Sequence, residues 1–302
     1  MKTEKNQIQN IKNRENSDNI QKNELTQWHI IFGSLWEKLL TPVNLSVTTD
    51  FAIMSNPPKG DILLVRRNDL KWTKEQKERL PYGIIDSKAD HFLVEFKFTE
   101  SVNIEAVQQA LAYDFFYKNS NKDSLSRDRV ETFILSSKTP QKSLREKLGF
   151  TKQVAPGVFK NTILTTSTLK LISINDLSKA KHNEYIKCFA SKKNVREKAF
   201  IELNASKEIT STPELFFIYY GLNEILVKKN RGEMLMEKQG YTPEDVINIG
   251  KSTYEWTLNS LSIDDFFKRF NKKEILSNFK PHEILATLSR EEIEEYLNKN
   301  KK

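Results

Sequence analysis

The sequence predicts a compact α/β domain followed by a helical C-terminal extension. Up to about residue 175, short apolar runs typical of strands alternate with amphipathic stretches typical of helices, an order that indicates one α/β domain. Beyond Asn175 the chain has a helical pattern. Near the C-terminus, a nine-residue pattern occurs four times without gaps over residues 262–297, which indicates a row of short helices.

Composition excludes several classes of protein. The chain has 302 residues, a length that suggests about two structural units. Its 18 Phe, 9 Tyr and 4 Trp can fill a core, which argues against wholesale disorder. The single cysteine, Cys188, excludes an intramolecular disulfide framework and a multi-cysteine zinc cluster, and we expect it to be a small buried residue. With neither a signal peptide nor a membrane-length apolar run apparent, we expect a soluble cytoplasmic protein with no membrane partner.

The charge balance is compatible with an anionic partner and equally with an ordinary lysine-rich surface. Lys and Arg number 48 against 40 Asp and Glu, a net charge of +8. The segment 181–198 is especially basic. Its cationic residues are Lys181, Lys187, Lys192, Lys193, Arg196 and Lys198. Two interpretations remain open: the segment contacts the phosphates of DNA, or it forms an ordinary solvated face.

The first predicted elements follow a polar N-terminal segment. Residues 1–23 cannot bury an apolar face and are predicted to be a disordered tail. Over 24–40 apolar residues recur at spacings of three and four, which predicts an amphipathic helix. Strands are predicted at 47–53 and 61–67, on either side of a Pro-Pro-Lys-Gly turn.

The rest of the domain continues the alternation of strands and helices. Its predicted elements are a loop (68–90), a strand (91–98), a helix (103–118), a strand (131–137), a short helix (141–148) and strands within 157–161 and 169–174. The predicted buried face of the 103–118 helix consists of Ile104, Val107, Leu111 and Phe115. Gln109 and Tyr113 are four residues apart and are predicted to project together from the opposite face.

The C-terminal part is predicted to be helical throughout. It comprises a basic connector (181–210) and a helical region (211–302) that opens with an aromatic helix (213–229) and contains the repeats (262–297). Each repeat has an acid at its fourth place, which is typical of a helix N-cap box. Its fifth and ninth places are apolar, and we expect them to be buried anchors that pack internally or against a second copy or a protein partner. These anchors are Phe266, Ile275, Ile284, Ile293, Phe270, Phe279, Leu288 and Leu297.

Three residues on neighbouring predicted strands form the candidate chemical site. Asp61 opens the second strand, and Glu95 and Lys97 lie two residues apart on the third. Because side chains alternate along a strand, Glu95 and Lys97 project from the same face. Carboxylate oxygens suit Mg²⁺ or Mn²⁺, and a hydrated metal ion beside a lysine can promote attack of water on phosphorus. The alternative is a Glu95–Lys97 salt bridge on a solvated strand face.

The histidines show no comparable pattern. They are His29, His91, His182 and His282. None belongs to a zinc-protease motif and none has a cysteine partner, so we predict that they are surface or helix-capping residues.

Three segments of the domain together form a recognisable pattern. They are PPKGDILLVRR (57–67), HFLVEFKFTES (91–101) and QQALAYDFFY (108–117). The pattern resembles the PD-(D/E)XK nuclease superfamily, and most of all its bacterial transposase-like or recombination-promoting branch. The resemblance covers about residues 24–205. Over residues 24–180 it implies a restriction-endonuclease-like core: a small mixed central sheet flanked by helices, in the order helix–strand–strand–strand–helix–strand.

The resemblance also implies residue roles. Asp61 and Glu95 would bind the metal, Mg²⁺ or Mn²⁺. Lys97 would orient the attacking water and stabilise charge on the phosphate. Gln109 and Tyr113 would match the Gln-x-x-x-Tyr motif of one nuclease branch.

Two features depart from the family pattern. Two residues separate the proline from the aspartate, which adjoin in the family motif. The acid of the first helix is also ambiguous. Glu37, inside the helix, is the predicted catalytic acid, while Glu24 at the start of the helix and Asp50 on the first strand remain alternatives.

The expected function follows from the resemblance. We expect a metal-dependent deoxyribonuclease, an endonuclease or exonuclease that acts on DNA in recombination, mobile-element or defence processes. The alternative is a catalytically inactive nuclease-fold protein that binds nucleic acid or a protein partner, since a fold alone does not establish activity. The presence of both acids and the lysine favours the enzyme.

Overall fold

The structure, a computed structural model, divides into two units. Its described residues are 26–52, 59–66, 71–163, 169–228, 240–260, 273 and 276–299. The predicted tail (1–23) lies outside them. The first compact unit extends to Lys251 and the second begins at Ser252. The first unit therefore includes the segment 181–210, which the sequence analysis assigned to a connector.

A seven-stranded mixed sheet forms the centre of the first unit. The strands are β1 (Leu45–Ala52), β2 (Lys59–Arg66), β3 (His91–Lys97), β4 (Val130–Ser136), β5 (Lys152–Ala155), β6 (Val158–Lys160) and β7 (Leu169–Ser173). Their order in the sheet is β1-β2-β3-β4-β7-β6-β5. The pairs β3–β4 and β4–β7 are parallel, and the remaining pairs are antiparallel. With helices flanking this sheet, the predicted α/β class is confirmed.

The described residues of the C-terminal part are helical as far as Lys299, as predicted. The helices of the described residues are α1 (Trp28–Leu40), α2 (Lys74–Lys77), α3 (Ile104–Ser120), α4 (Lys142–Lys147), α5 (Lys181–Lys187), α6 (Lys193–Asn204), α7 (Lys207–Thr210), α8 (Pro213–Asn223), α9 (Pro243–Ser260), α10 (Pro281–Leu285) and α11 (Arg290–Lys299). A π-helical turn (Glu224–Lys228) follows α8. Within the described part of the chain, each helix is too short or too polar to cross a membrane.

One helical turn and one strand escaped prediction. The turn α2 lies in the predicted loop 68–90. Thr73 caps it: the Thr73 Oγ1 accepts the N–H of Gln76 at 3.2 Å, and the Gln76 side chain accepts the N–H of Thr73 at 3.1 Å. This reciprocal pair satisfies two helix-end donors and holds a helix of only four residues. The strand β5 has mainly exposed side chains, so its sequence lacks the apolar run that would predict a strand.

Helix α1 packs closely on the sheet, as its apolar spacing predicted. Its buried side chains include Ile31, Phe32 and Leu35, each fully covered. Burial of such a side chain contributes about 1.5–3 kcal/mol, so α1 is firmly held. Gly33 allows the close approach to β1, because a Cβ there would lie 1.7 Å from the Cγ2 of Thr49.

Helix α3 buries only part of the predicted face: Val107 is buried and Leu111 packs against the core, as predicted. Ile104 and Phe115 are 50% and 56% exposed, so their assignment to the core is wrong. The helix packs on the other side of the sheet through Ala106, Ala110 and Tyr113. The small alanine side chains let the helix backbone approach the sheet.

The basic segment is partly buried. Lys187, on α5, is covered by the protein and lies 2.8 Å from the carboxylate of Glu184, which is also buried. The neighbouring residue Ile186 belongs to the main apolar core. Lys187 therefore contributes to packing and ion pairing within the fold, not to a solvated basic face.

The second unit shows the predicted caps but not full burial of the anchors within the chain. Glu283 accepts the N–H of Lys280 at 2.7 Å, and Glu292 accepts the N–H of Ser289 at 2.8 Å. The described ninth-place residues are not covered within the chain: these are Phe279, Leu288 and Leu297. Their packing against a second copy or a protein partner stays a prediction. The described fifth-place residues, Ile284 and Ile293, are half-buried. Helices of one to three turns offer too few neighbours to cover two apolar positions per repeat. The other anchors, Phe266, Phe270 and Ile275, lie outside the described residues.

Candidate functional site

Asp61 and Glu95 face each other across two antiparallel strands. Ile62 of β2 pairs with Val94 of β3, and continuing this register by one residue places Asp61 opposite Glu95. The backbone N–H of Phe96 donates a 2.8 Å hydrogen bond to the Oδ2 of Asp61, which ties that carboxylate to the end of β3. Strand alternation places both carboxylates on the face opposite the main core.

Lys97 completes this cluster. Its Nζ lies 2.8 Å from the Oε1 of Glu95, and the side chains of Lys97 and Glu95 are only 14% and 3% exposed. The structure thus brings Asp61, Glu95 and Lys97 together. The salt bridge considered as an alternative does exist, but it lies on a largely buried face and not on a solvated one.

The two carboxylates oppose each other's ionisation. Burial and, to a smaller extent, the charge of Asp61 raise the pKa of Glu95 to about 7, because Lys97 offsets only part of their effect. Burial also raises the pKa of Asp61, although His29, the N–H of Phe96 and Lys97 lower it. The Oε2 of Glu95 is buried without a hydrogen-bond partner. Such an atom is costly unless a proton or a cation satisfies it.

The lysine remains charged in this environment. Burial disfavours the ammonium form, but Glu95, Asp61 and Glu100 outweigh burial and raise the pKa of Lys97. Glu100 is mainly exposed, and its Oε2 lies 3.7 Å from the Nζ of Lys97. Lys97 therefore supplies a fixed positive charge between a buried and an exposed carboxylate.

A pocket of about 440 Å³ opens onto the cluster. Its lining residues are Thr26, Gln27, Trp28, His29, Asp61, Glu95, Phe96, Lys97, Phe98, Thr99, Glu100 and Gln109. They come from the first turn of α1, the ends of β2 and β3, and α3. The pocket thus lies at the end of the sheet where helices from both of its faces meet.

The predicted polar pair on α3 reaches this site. The amide Nε2 of Gln109 donates a 2.7 Å hydrogen bond to the hydroxyl of Tyr113. Gln109 lines the pocket, while Tyr113 lines a small adjoining cavity together with Asp61 and Glu95. Burial raises the pKa of Tyr113, with further increases from both carboxylates that outweigh the effect of Gln109, so the phenol stays neutral. The pair sits beside the carboxylates because α3 turns this side toward the sheet.

The structure does not bring Glu37 to the site. Glu37 is exposed and lies eight residues beyond His29 on α1, about 12 Å along the helix axis. Asp50 is the nearer acid: it raises the pKa of Asp61 and its Oδ1 lies 3.1 Å from the Nε2 of His29. Glu24 lies outside the described residues.

His29 is a site residue that the sequence analysis missed. It lines the pocket, pairs with Asp50 and lowers the pKa of Asp61. Its prediction as a surface or capping residue is therefore wrong. Asp50 adopts a left-handed backbone conformation (φ 49°), so strand alternation does not reveal where its side chain points. The close packing of α1 on β1 brings His29 and Asp50 together.

The site suits a hydrated hard cation better than a protein cage. Within the described ranges, no group of three or more His, Cys, Asp or Glu side chains could hold a metal ion. Mg²⁺ needs only one or two carboxylates because it retains several waters. Asp61 and Glu95 provide two carboxylates, and the unsatisfied Oε2 of Glu95 is the kind of buried oxygen that a cation would satisfy.

The single cysteine is not a candidate functional residue. Cys188 is fully buried, as predicted, and burial raises the pKa of its thiol well above the ordinary value. A buried, protonated thiol is a poor nucleophile and a poor metal ligand. Cys188 is therefore a packing residue.

The comparisons with known proteins return no relative for this chain. No protein-family model matches it, and neither a curated protein nor a solved structure matches it significantly. The chemistry of the pocket residues is therefore the basis for inferring a function.

Proposed function

We propose that the chain is a metal-dependent nuclease of the PD-(D/E)XK type that hydrolyses DNA phosphodiester bonds. The observation that carries the proposal is the buried pair Asp61–Glu95 with Lys97 at 2.8 Å, open to a pocket. The order α1-β1-β2-β3-α3-β4, with the one-turn helix α2 inserted between β2 and β3, supports it, because the resemblance implies a succession of helix, three strands, helix and strand.

Each residue of the cluster has a role in this proposal. Asp61 and Glu95 would hold the cation, Mg²⁺ or Mn²⁺. When bound, the cation supplies Lewis-acid polarisation of the phosphate and a lowered pKa of water. Lys97 places a fixed charge where negative charge develops on the phosphate. Gln109 and Tyr113 provide neutral hydrogen-bonding groups beside the pocket.

The overall reaction consumes one water. The oxygen of water forms a new bond to phosphorus, and the bond from phosphorus to the leaving oxygen breaks. The leaving oxygen takes up a proton, so the products are a phosphate monoester and a free hydroxyl.

The exposed lysines near α5 and α6 provide a surface for the phosphates of DNA. Lys181, Lys192 and Lys193 are more than half exposed, and their acidic partners lie at 3.5–3.8 Å. Such surface ion pairs are weak, so phosphates can replace the carboxylates. A second pocket of about 250 Å³ has three lysines in its lining, Lys179, Lys181 and Lys198, together with Glu184 and Glu202.

A catalytically inactive binding protein is the alternative function. It is favoured by the small number of ligands, since the described residues offer two carboxylates at the cluster and no group of three metal-binding side chains. Lys97 is also engaged by Glu95 and Glu100 in the absence of substrate. Such a protein would bind DNA without cleaving it.

Cleavage assays decide between these functions. The full chain is incubated with linear duplex, circular duplex and single-stranded DNA in the presence of Mg²⁺, Mn²⁺ or EDTA. We expect cleavage that EDTA abolishes and that Asp61→Asn and Glu95→Gln each remove. Asp123→Asn, at an exposed position, is the matched control. Binding without cleavage in every condition would favour the inactive protein.

A further inference from the structure

We propose that the pocket beside Asp61, Glu95 and Lys97 accepts an unpaired nucleobase, so that the substrate class is single-stranded DNA or a frayed DNA end. This inference rests on the proposed nuclease function and specifies its substrate. It is carried by the aromatic wall of the pocket, the charges of its lining and its size.

The aromatic wall adjoins the reactive groups. Phe98 follows Lys97 by one residue and lies against Trp28, with ring centroids 4.4 Å apart. Both residues line the pocket. Trp28 is nearly covered by the protein, whereas Phe98 is half-buried and leaves part of its surface open. A partly exposed aromatic side chain in the lining, beside a charged cluster, offers a place for the flat face of a base.

The charges of the lining disfavour a duplex backbone inside the pocket. Lys97 is the only lysine or arginine among the described lining residues, while Asp61, Glu95 and Glu100 are carboxylates. A stretch of duplex carries many phosphates and would need more cations. A neutral base inside the pocket, with a single phosphate at Lys97, needs only one cation.

The polar lining and the size also suit a base. Gln27, Thr99 and Gln109 present amides and a hydroxyl, groups that can donate and accept hydrogen bonds at a base edge. The volume of about 440 Å³ falls within the ~300–1,000 Å³ typical of small-ligand pockets. Bases in a duplex are stacked and paired, so an unpaired or flipped base is the form that can enter.

Binding measurements without metal test the base pocket separately from catalysis. A fluorescent single-stranded oligonucleotide is titrated with the full chain in EDTA, followed by anisotropy, and compared with a duplex of equal length. Stacking on an aromatic side chain is worth ~1–3 kcal/mol per base. We therefore expect Phe98→Leu to weaken single-strand binding by about 5- to 150-fold and to leave duplex binding unchanged. Phe98→Tyr, which keeps the aromatic face, should bind like the parent protein.

Two further variants distinguish loss of the base pocket from loss of an aromatic ring elsewhere and from unfolding. Phe115→Leu removes an exposed aromatic ring of α3 that does not line the pocket, and it should bind single strands normally. Gln27→Ala changes an exposed residue of the pocket and should weaken single-strand binding even if Phe98→Leu unfolds.

The outcomes separate this inference from the proposed function. Equal single-strand binding by the parent, Phe98→Leu and Gln27→Ala proteins would overturn the base pocket, even if metal-dependent cleavage is observed. Selective loss of single-strand binding in these variants supports the base pocket, and it would still do so if no DNA were cleaved with Mg²⁺ or Mn²⁺. If no DNA were cleaved, only the proposed nuclease function would be contradicted.

Discussion

Glu95 is the residue in which the requirements of folding and function conflict most directly. A carboxylate that is 3% exposed, with one oxygen unsatisfied and Asp61 opposite, is an expensive group for the fold to hold in its ionised form. Lys97 compensates for part of this cost through one oxygen. The part of this free-energy cost that Lys97 does not offset is typical of a site that binds a proton or a cation.

The pKa of Glu95 predicts a pH-dependent stability of the metal-free protein. The folded-state pKa of about 7 lies above the ordinary value of 4.5. The folded state therefore binds the proton more tightly than the unfolded state, and this stabilisation is complete below pH 4.5 and disappears as the pH rises toward 7. In EDTA, the free energy of unfolding measured with urea should fall between about pH 5 and pH 8.

A matched pair of variants tests whether Glu95 causes this pH dependence of stability. Glu95→Gln cannot ionise and should flatten the pH profile, whereas Glu105→Gln, exposed in the first turn of α3, should leave the profile of the parent unchanged. Parallel profiles for the parent and Glu95→Gln proteins would show that other groups cause the pH dependence.

Lys97 provides a second prediction at the residue scale. Lys97→Met keeps most of the aliphatic stem but removes the charge, so the protein should fold while the transition state loses its stabilisation. We expect the cleavage rate with saturating Mg²⁺ to fall by ~10²–10³-fold, as for loss of one positioned donor. Lys122→Met, at an exposed position after α3, should cleave normally. A loss smaller than about threefold would indicate that Lys97 serves only as the ion-pair partner of Glu95.

At the level of elements, strand patterns were informative and helix faces were less so. The two-residue alternation of β3 correctly placed Glu95 and Lys97 on one face, because that period does not depend on neighbours. For α3 the apolar residues lie on several sides, and the sequence does not reveal which side meets the sheet. The structure resolves this in favour of Ala106 and Ala110, whose small size permits close packing. The role of His29 was hidden because its partner, Asp50, is contributed by a different element.

The packing of α3 yields a prediction of its own. Ala110 is 1% exposed against the sheet, so Ala110→Leu inserts volume into a filled space and should destabilise the fold by about 1–3 kcal/mol. Phe115→Ser, on the exposed side of the same helix, should change the free energy of unfolding by about 0.5 kcal/mol or less. Urea unfolding of both proteins measures the difference. If Phe115→Ser lowered the free energy of unfolding more than Ala110→Leu does, Phe115 would belong to the buried face, as the sequence predicted.

At the scale of the whole molecule, the net charge of +8 is unevenly distributed. The described lining of the main pocket has more carboxylates than lysines, whereas exposed lysines accumulate on and near α5 and α6. A polyanion that binds this protein should therefore contact the lysines through its phosphates and the pocket through a different part. Lys187 of the basic segment could not take part in such a contact, because it is buried against Glu184.

The dependence of DNA affinity on salt tests this division. Each neutralised phosphate contributes about −0.9 to the slope of log K against log salt concentration for duplex DNA. Replacing Lys181, Lys192 and Lys193 together with Gln should therefore make the slope shallower by about two to three units. The three side chains are exposed, so the unfolding transition should be nearly unchanged. Lys122→Gln, together with exposed Lys142→Gln and Lys152→Gln, is a control of equal charge. If both triple variants changed the slope equally, the α5–α6 lysines would act through net charge alone, and a specific phosphate-binding surface there would be excluded.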